Sequence, residues 1–271
     1  MGAAVEQIEH EIDGLPVCWR RAPYEGAPVV YVHGVPESSQ MWERFLEKTG
    51  GIAPDLPGFG RSGKPAEGDY SIAGYDRFME AFLDHLGVDR LRLVVHDWGA
   101  AALAFAQRFP ERIERLVVID GVPLLPGYRW HWVARLWRRR VIGELVMGTT
   151  NRWTLKRLSR LATPRPGPLP DSFVDAVWEH FDQGTQRAIL RLYRSAPAPV
   201  LAAAGARLSS ITAPSLVVWG EQDPYISPDF ADAYAGALAN ATVERVPGAG
   251  HWPWIDRPEL IERIASFAGA R

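Results

Sequence analysis

Short apolar, β-branched runs recur towards both ends of this chain, each closed by Gly, Pro or Asp, with longer amphipathic stretches between them. Runs at 5–12 and 17–21 meet at Asp13-Gly14 and predict a hairpin. Runs at 28–32, 51–55, 91–96, 116–120, 214–220 and 242–246 predict buried strands, and the stretches 41–48, 71–86, 98–109, 228–238 and 258–268 predict helices. Strand and helix alternate, which implies a mainly parallel eight-stranded sheet with helices on both faces and ligand sites at the carboxyl ends of its strands. The rhythm stops from 122 to 212, a helical, Trp-rich and Arg-rich stretch with a Pro-rich break at 164–170. It predicts a helical lid inserted into a core made of residues 1–121 and 213–271.

Composition narrows the function classes. A chain of 271 residues, 47% hydrophobic, is long enough to bury a substantial core. A formal net charge of -2, with no basic tail and no Cys/His metal spacing, argues against nucleic acid and against a metal centre. The single cysteine, Cys18, fits a reducing compartment, the opening Met1-Gly2-Ala3-Ala4-Val5-Glu6 has neither the charge nor the apolar run of a signal peptide, and no window reaches the length of a membrane span. The expectation is a cytoplasmic protein without cofactor or membrane partner, acting on a small hydrophobic molecule. Charge is divided: residues 121–212 carry 14 Lys+Arg against 5 Asp+Glu, a net +9, leaving 16 against 27, a net -11, for the rest.

The chemistry centres on Val94-Val95-His96-Asp97-Trp98-Gly99. A buried strand that turns abruptly into a small-residue helix holds one side chain in a strained elbow above the sheet, with the next backbone N–H free to bind developing negative charge. The residue presented is Asp97, a carboxylate able to attack carbon and form an ester that water must then cleave. Alone, it could equally be a helix cap, for which Asp is favoured. Its company argues otherwise: Glu221-Gln222-Asp223-Pro224 follows one later strand and Gly248-Ala249-Gly250-His251-Trp252 follows another, in the order nucleophile, acid, base. Asp120, at the end of its own strand, and Glu221 compete with Asp223 for the acid role.

These blocks, with His33-Gly34-Val35-Pro36-Glu37-Ser38 and Asp55-Leu56-Pro57-Gly58-Phe59-Gly60-Arg61-Ser62, resemble the α/β-hydrolase-fold branch that contains epoxide hydrolases and haloalkane dehalogenases. The resemblance implies that Asp97 is the nucleophile, His251 the base and Asp223 its orienting acid, with the backbone N–H groups of Val35 and Trp98 as the oxyanion hole.

Epoxide and halide differ in how the leaving group is stabilised. The family opens epoxides with lid tyrosines, and Leu192-Tyr193-Arg194-Ser195 resembles the segment carrying one of them, with Tyr128 as the second candidate. For halide, Trp98 is present, but Val35 stands where many dehalogenases carry Asn, and a second indole would come from Trp130, Trp132, Trp137, Trp153 or Trp178. Val95 before the elbow looks more like dehalogenases. The sequence reading favours an epoxide hydrolase, with a haloalkane dehalogenase as the alternative. A luciferase-like oxygenase or a binding protein on the same fold is a third.

Overall fold

Five of the eight strands are apolar and almost wholly buried, so the sheet they form is covered on both faces. The computed structural model describes residues 3–164 and 167–269, and Met1, Gly2, Arg165, Pro166, Ala270 and Arg271 lie outside them. The strands are β1 Glu6–Ile12, β2 Leu15–Ala22, β3 Val29–Val32, β4 Gly51–Pro54, β5 Leu91–His96, β6 Ile113–Ile119, β7 Ser215–Gly220 and β8 Ala241–Val246. They form one sheet in the order β1-β2-β4-β3-β5-β6-β7-β8. The β1-β2 and β2-β4 pairings are antiparallel and the remainder parallel. The β1-β2 turn places Asp13 and Gly14 both at positive φ, the conformation that makes Asp-Gly a hairpin dipeptide.

Side chains alternate across the sheet as the pleat requires. Val30, Val32, Leu93, Val95, Val118 and Val217 pack into one core. Their neighbours Val29, Tyr31, Val94, Val117, Leu216 and Val218 pack into the other. The first face is covered by α2 (Ile72–His85) and α3 (Leu103–Arg108), following α1 (Glu43–Thr49) in the chain. Buried Trp42, Phe45 and Trp254 stack into the second. Burial of each such side chain contributes on the order of 1.5–3 kcal/mol.

Between β6 and β7 the chain is helical: α4 Trp132–Trp137, α5 Ile142–Thr149, α6 Arg152–Leu158, α7 Asp171–Glu179, α8 Gln183–Ser195 and α9 Ala198–Ala204. The body then resumes with β7, α10 (Asp229–Ala237), β8, α11 (Pro253–Asp256) and α12 (Leu260–Gly269). The expected helix at 98–109 begins instead as a 3-10 turn, Asp97–Ala102, because the elbow must first bring the chain out of the sheet. The strand expected at 116–120 begins earlier, at Ile113, and stops before Asp120, which has left-handed φ. No helix among the described residues is long and apolar enough to cross a membrane.

Candidate active site

Parallel strands β5, β6, β7 and β8 all deliver their carboxyl ends to one edge of the sheet, and the polar residues that follow them meet there. Asp97, after β5, has φ of 47°, a left-handed conformation costly for a side-chain-bearing residue. The tight turn needs small neighbours. A Cβ on Gly34 would lie 2.5 Å from the Asp97 Cβ, and one on Gly99 would lie 2.2 Å from the Val32 carbonyl oxygen.

The Asp97 carboxylate is buried. Its Oδ2 accepts the Val35 N–H at 2.9 Å, and its Oδ1 lies 3.6 Å from Nε2 of His251. The His251 Nδ1 donates to Asp223 Oδ2 at 2.7 Å. Asp223 Oδ1 in turn accepts the N–H groups of Tyr225 and Ile226 at 2.7 and 3.1 Å. Of the three acids weighed from sequence, Asp223 is therefore the one bonded to the imidazole. Glu221 is exposed, and Asp120 lies behind Asp223 with its Oδ1 accepting the Gly220 N–H at 3.0 Å.

Electrostatics prepare these groups differently. Burial raises the Asp97 pKa, but hydrogen bonding and charge from His251, with the Val35 N–H, bring it below the ordinary carboxylate value, so Asp97 is ionised. Burial pulls His251 down, while Asp223 and Asp97 on either side push it well above an ordinary histidine. Asp223 gives the larger share of that support, and the share from Asp97 disappears when that carboxylate is esterified.

The structure also brings in residues that sequence reasoning missed. His96, just before the nucleophile, donates from Nε2 to the His251 carbonyl at 2.8 Å, and its Nδ1 faces Glu37 Oε2 at 3.4 Å. Glu37 accepts the Gly34 N–H at 3.0 Å and the Trp252 indole N–H. One buried carboxylate thus ties together the Gly34 loop, the nucleophile strand and the histidine loop. His33 is held neutral: burial lowers its pKa, its Nε2 accepts the Leu56 N–H at 2.9 Å, and its Nδ1 donates to the Gly34 carbonyl at 2.8 Å. The signal for these roles was present as polar residues interrupting apolar strand ends, but their partners are distant in sequence.

Asp97 and His251 open into a cavity of ≈ 180 Å³ walled by apolar and aromatic side chains from the body and from α4 to α8. Its lining includes Val35, Tyr128, Tyr193 and Tyr225 and, among the described residues, contains no Lys or Arg. Tyr193 meets the Trp98 ring edge-on at 5.2 Å, and burial and the Asp97 charge keep its hydroxyl protonated. The Tyr128 hydroxyl and the Trp98 indole N–H are buried with no hydrogen-bond partner among the described residues. Trp98 itself is stacked on Trp130 at 5.3 Å and is not part of the cavity lining. Trp130 donates its indole N–H to the Ala196 carbonyl at 3.0 Å, which removes it as a second indole donor.

His131 is the donor that the sequence left unmentioned. It lines the cavity, sits 5.0 Å from the Tyr225 ring, and caps α4 by accepting the Ala134 N–H at its Nδ1. The cap leaves the ring proton on Nε2, and burial lowers the pKa to about 4, so the ring is a neutral N–H donor near pH 7. Asp120, Asp223 and His251 are the one group of three close metal-ligating side chains among the described residues. The 2.7 Å contact between two of them is filled by an N–H···O bond, so the arrangement is a proton-handling chain.

A model of the alpha/beta hydrolase fold family matches residues 27–258. A haloalkane dehalogenase of Bradyrhizobium diazoefficiens is 29% identical, covering 97% of this chain and 94% of its own, and one of Mycolicibacterium paratuberculosis is 30% identical, covering 92% and 85%. Epoxide hydrolase 1 of Caenorhabditis elegans is 25% identical, covering 88% of this chain but 64% of its own. Among solved structures, haloalkane dehalogenase DbeA of Bradyrhizobium elkani superposes with a TM-score of 0.84 at 27% identity, covering 98% of both chains.

Proposed function

Because the chain belongs to the α/β-hydrolase fold family, in its dehalogenase and epoxide hydrolase-like branch, we propose that it is a hydrolase working through an ester on Asp97. The observation that carries this reading is an ionised elbow carboxylate facing an apolar cavity, with an imidazole 3.6 Å away that is itself held by a second carboxylate. Asp97 attacks an sp3 carbon, and the leaving group departs with the bonding electrons. Esterification removes the Asp97 charge, so His251 loses that carboxylate's share of the support for its imidazolium form and becomes able to deprotonate water. That water attacks the ester carbonyl, whose developing oxyanion is met by the N–H groups of Val35 and Trp98. The helices over 122–212 act as the lid.

The substrate is uncharged, since a cavity whose described lining residues include no Lys or Arg offers a haloacid no counter-ion. Haloalkane is the first electrophile. Its support is the dehalogenase relatives. Epoxide is the second, favoured by a specific observation: the protonated Tyr193 hydroxyl, the unpartnered Tyr128 hydroxyl and the His131 N–H lie in the wall shared with Asp97 and can protonate or hydrogen-bond an alkoxide. Parallel incubation with a bromoalkane panel and a styrene-oxide-type epoxide ranks them, scoring bromide against diol. Bromide release dependent on Asp97 supports the first reading and diol the second. Neither product, with no mass adduct on Asp97, overturns both.

A further inference from the structure

Asp120 is fully buried at the end of β6, directly behind the acid that holds His251. Its donor and acceptor account is lopsided. Oδ1 accepts the Gly220 N–H, whereas Oδ2 is buried with no conventional donor facing it. Its acidic neighbour is the buried Asp223 carboxyl: Asp120, Asp223 and His251 each offer an atom within 4.8 Å of the others. Asp223 is far better provided, with N–H donors from Tyr225, Ile226 and His251. Two carboxylates this close and this dry cannot both ionise, so the negative charge stays where three donors meet it and the proton goes to the carboxyl that has one.

We infer that Asp120 is a positioning residue that keeps its proton and donates it to Asp223, so that the acid behind His251 is a two-carboxyl unit carrying one negative charge. The position of Asp120 is not incidental. Its φ of 40° is left-handed, its backbone N–H is fixed to the Val218 carbonyl at 3.1 Å, and its side chain reaches the end of β7, where Oδ1 meets the Gly220 N–H. The proton completes the hydrogen bonding of Asp223 and fixes which of its oxygens faces His251. Burial and the Asp223 charge both act to keep the Asp120 carboxyl protonated, and the His251 charge and the Gly220 N–H act against them. The unit also holds a reserve. If Asp223 loses its charge, Asp120 can ionise within reach of His251.

The inference rests on reading Asp223 and His251 as acid and base, but its first test needs no turnover. Infrared spectroscopy of the whole protein near neutral pH should show a carboxylic-acid C=O band that is absent from Asp120→Asn. It should also vanish in Asp223→Asn, where the like charge is gone and Asp120 ionises. A spectrum unchanged by both substitutions overturns the inference whether or not a substrate has been found. The second test uses rates of ester hydrolysis. Asp120→Asn, whose amide can still donate to Asp223 and accept from Gly220, should stay within about threefold of the parent, and Asp120→Leu should fall by about tenfold or more. Asp223→Asn should retain hydrolysis that Asp120→Asn/Asp223→Asn loses by a further tenfold or so. A double variant no slower than Asp223→Asn, or Asp120→Asn as slow as Asp120→Leu, contradicts it. Should Asp120→Leu fail to fold, the infrared arm and the Asn variants still decide.

Discussion

The two halves of the cavity wall are built on opposite principles. On the sheet side, Asp97, His251, Asp223, Glu37 and His96 are buried and are tied by named hydrogen bonds to the loops at the strand ends. On the helical side, the wall is aromatic and aliphatic, and the outer surface of the same helices is poorly covered: among the described residues, every large hydrophobic left exposed except Tyr24 falls between 122 and 212. Val141, Leu145 and Trp153 are more than 60% exposed. The difference separates what the fold must hold fixed from what it can vary. The reaction is set by hydrogen bonds that tolerate little displacement, and substrate choice by contact surfaces that tolerate a good deal.

The sharpest way to test that division is to remove one group from the rigid side. His251→Gln should leave alkylation of Asp97 intact and slow ester hydrolysis by on the order of 10²–10⁴-fold, the usual contribution of a general base. Intact-mass spectrometry of the quenched protein would then show an adduct on the Asp97 peptide. Free turnover without an adduct would mean that the base has been misplaced.

A smaller effect is expected from the helical side where it does touch the reacting atoms. Tyr193→Phe should slow epoxide opening by on the order of 10²-fold and bromide release by only a few-fold, because only an alkoxide needs a proton. His131→Phe should follow the same pattern more weakly, since a neutral imidazole is a poorer acid. Equal losses on both substrates would show that these rings shape the cavity and donate nothing.

Acidification separates the two chemical steps on the sheet side alone. Asp97 has a lowered pKa and stays ionised well into the acid range, whereas His251 loses the support of Asp97 once the ester forms. A base must be unprotonated to work, so hydrolysis falls as pH drops through the His251 pKa of the alkyl-enzyme, while alkylation persists until Asp97 itself is protonated. Rapid-quench mass spectrometry should show the adduct accumulating as the pH is lowered. A falling adduct level over that range would reverse the assignment.

The smallest effect belongs to the outer face of the helices. The net charges of +9 and -11 suggest that the two parts attract, and Arg138 and Arg139 are natural positions to reverse. Only one of them is a surface charge. Arg138 donates to the Tyr193 and Ala196 carbonyls at the end of α8 and lies over the Trp130 ring, so reversing it would disturb the cavity wall. Arg139→Glu/Arg140→Glu avoids that, and should change turnover by less than about twofold between low and high salt, as screened exposed charges do. A larger salt response would show that helix opening limits the rate.

Much of this was legible in the chain. Pleat alternation and the Asp-Gly turn predicted the sheet, and the elbow, the acid and the histidine stood in order at successive strand ends because parallel strands bring their carboxyl ends together. What was hidden depended on register across the sheet. Choosing Asp223 over Asp120 requires knowing which strand lies nearer the histidine loop, and Glu37, His96 and Trp252 find one another only once strands distant in sequence are neighbours. His131 was hidden differently: a histidine beside tryptophans in a helical stretch reads as packing until its cap fixes the tautomer. The preference for epoxide rested on the segment around Tyr193 and on Val35 standing where many dehalogenases carry Asn. The loss of Trp130 removes one of the five candidate second indoles, while the dehalogenase relatives weigh towards the alternative reading.

The ties between Glu37 and Trp252, 215 residues apart, and between His96 and His251, 155 apart, also bear on how the protein comes undone. They are among its longest-range contacts, and such contacts form late because they must first overcome the entropy of closing a large loop. The loop they secure follows β8, an edge strand that is half-buried where β5 is almost wholly enclosed. Its amides should therefore exchange with solvent through openings that leave the central strands protected. In rising denaturant, activity should vanish while tryptophan fluorescence and far-UV dichroism still report an intact sheet, with the protein idle before it is unfolded.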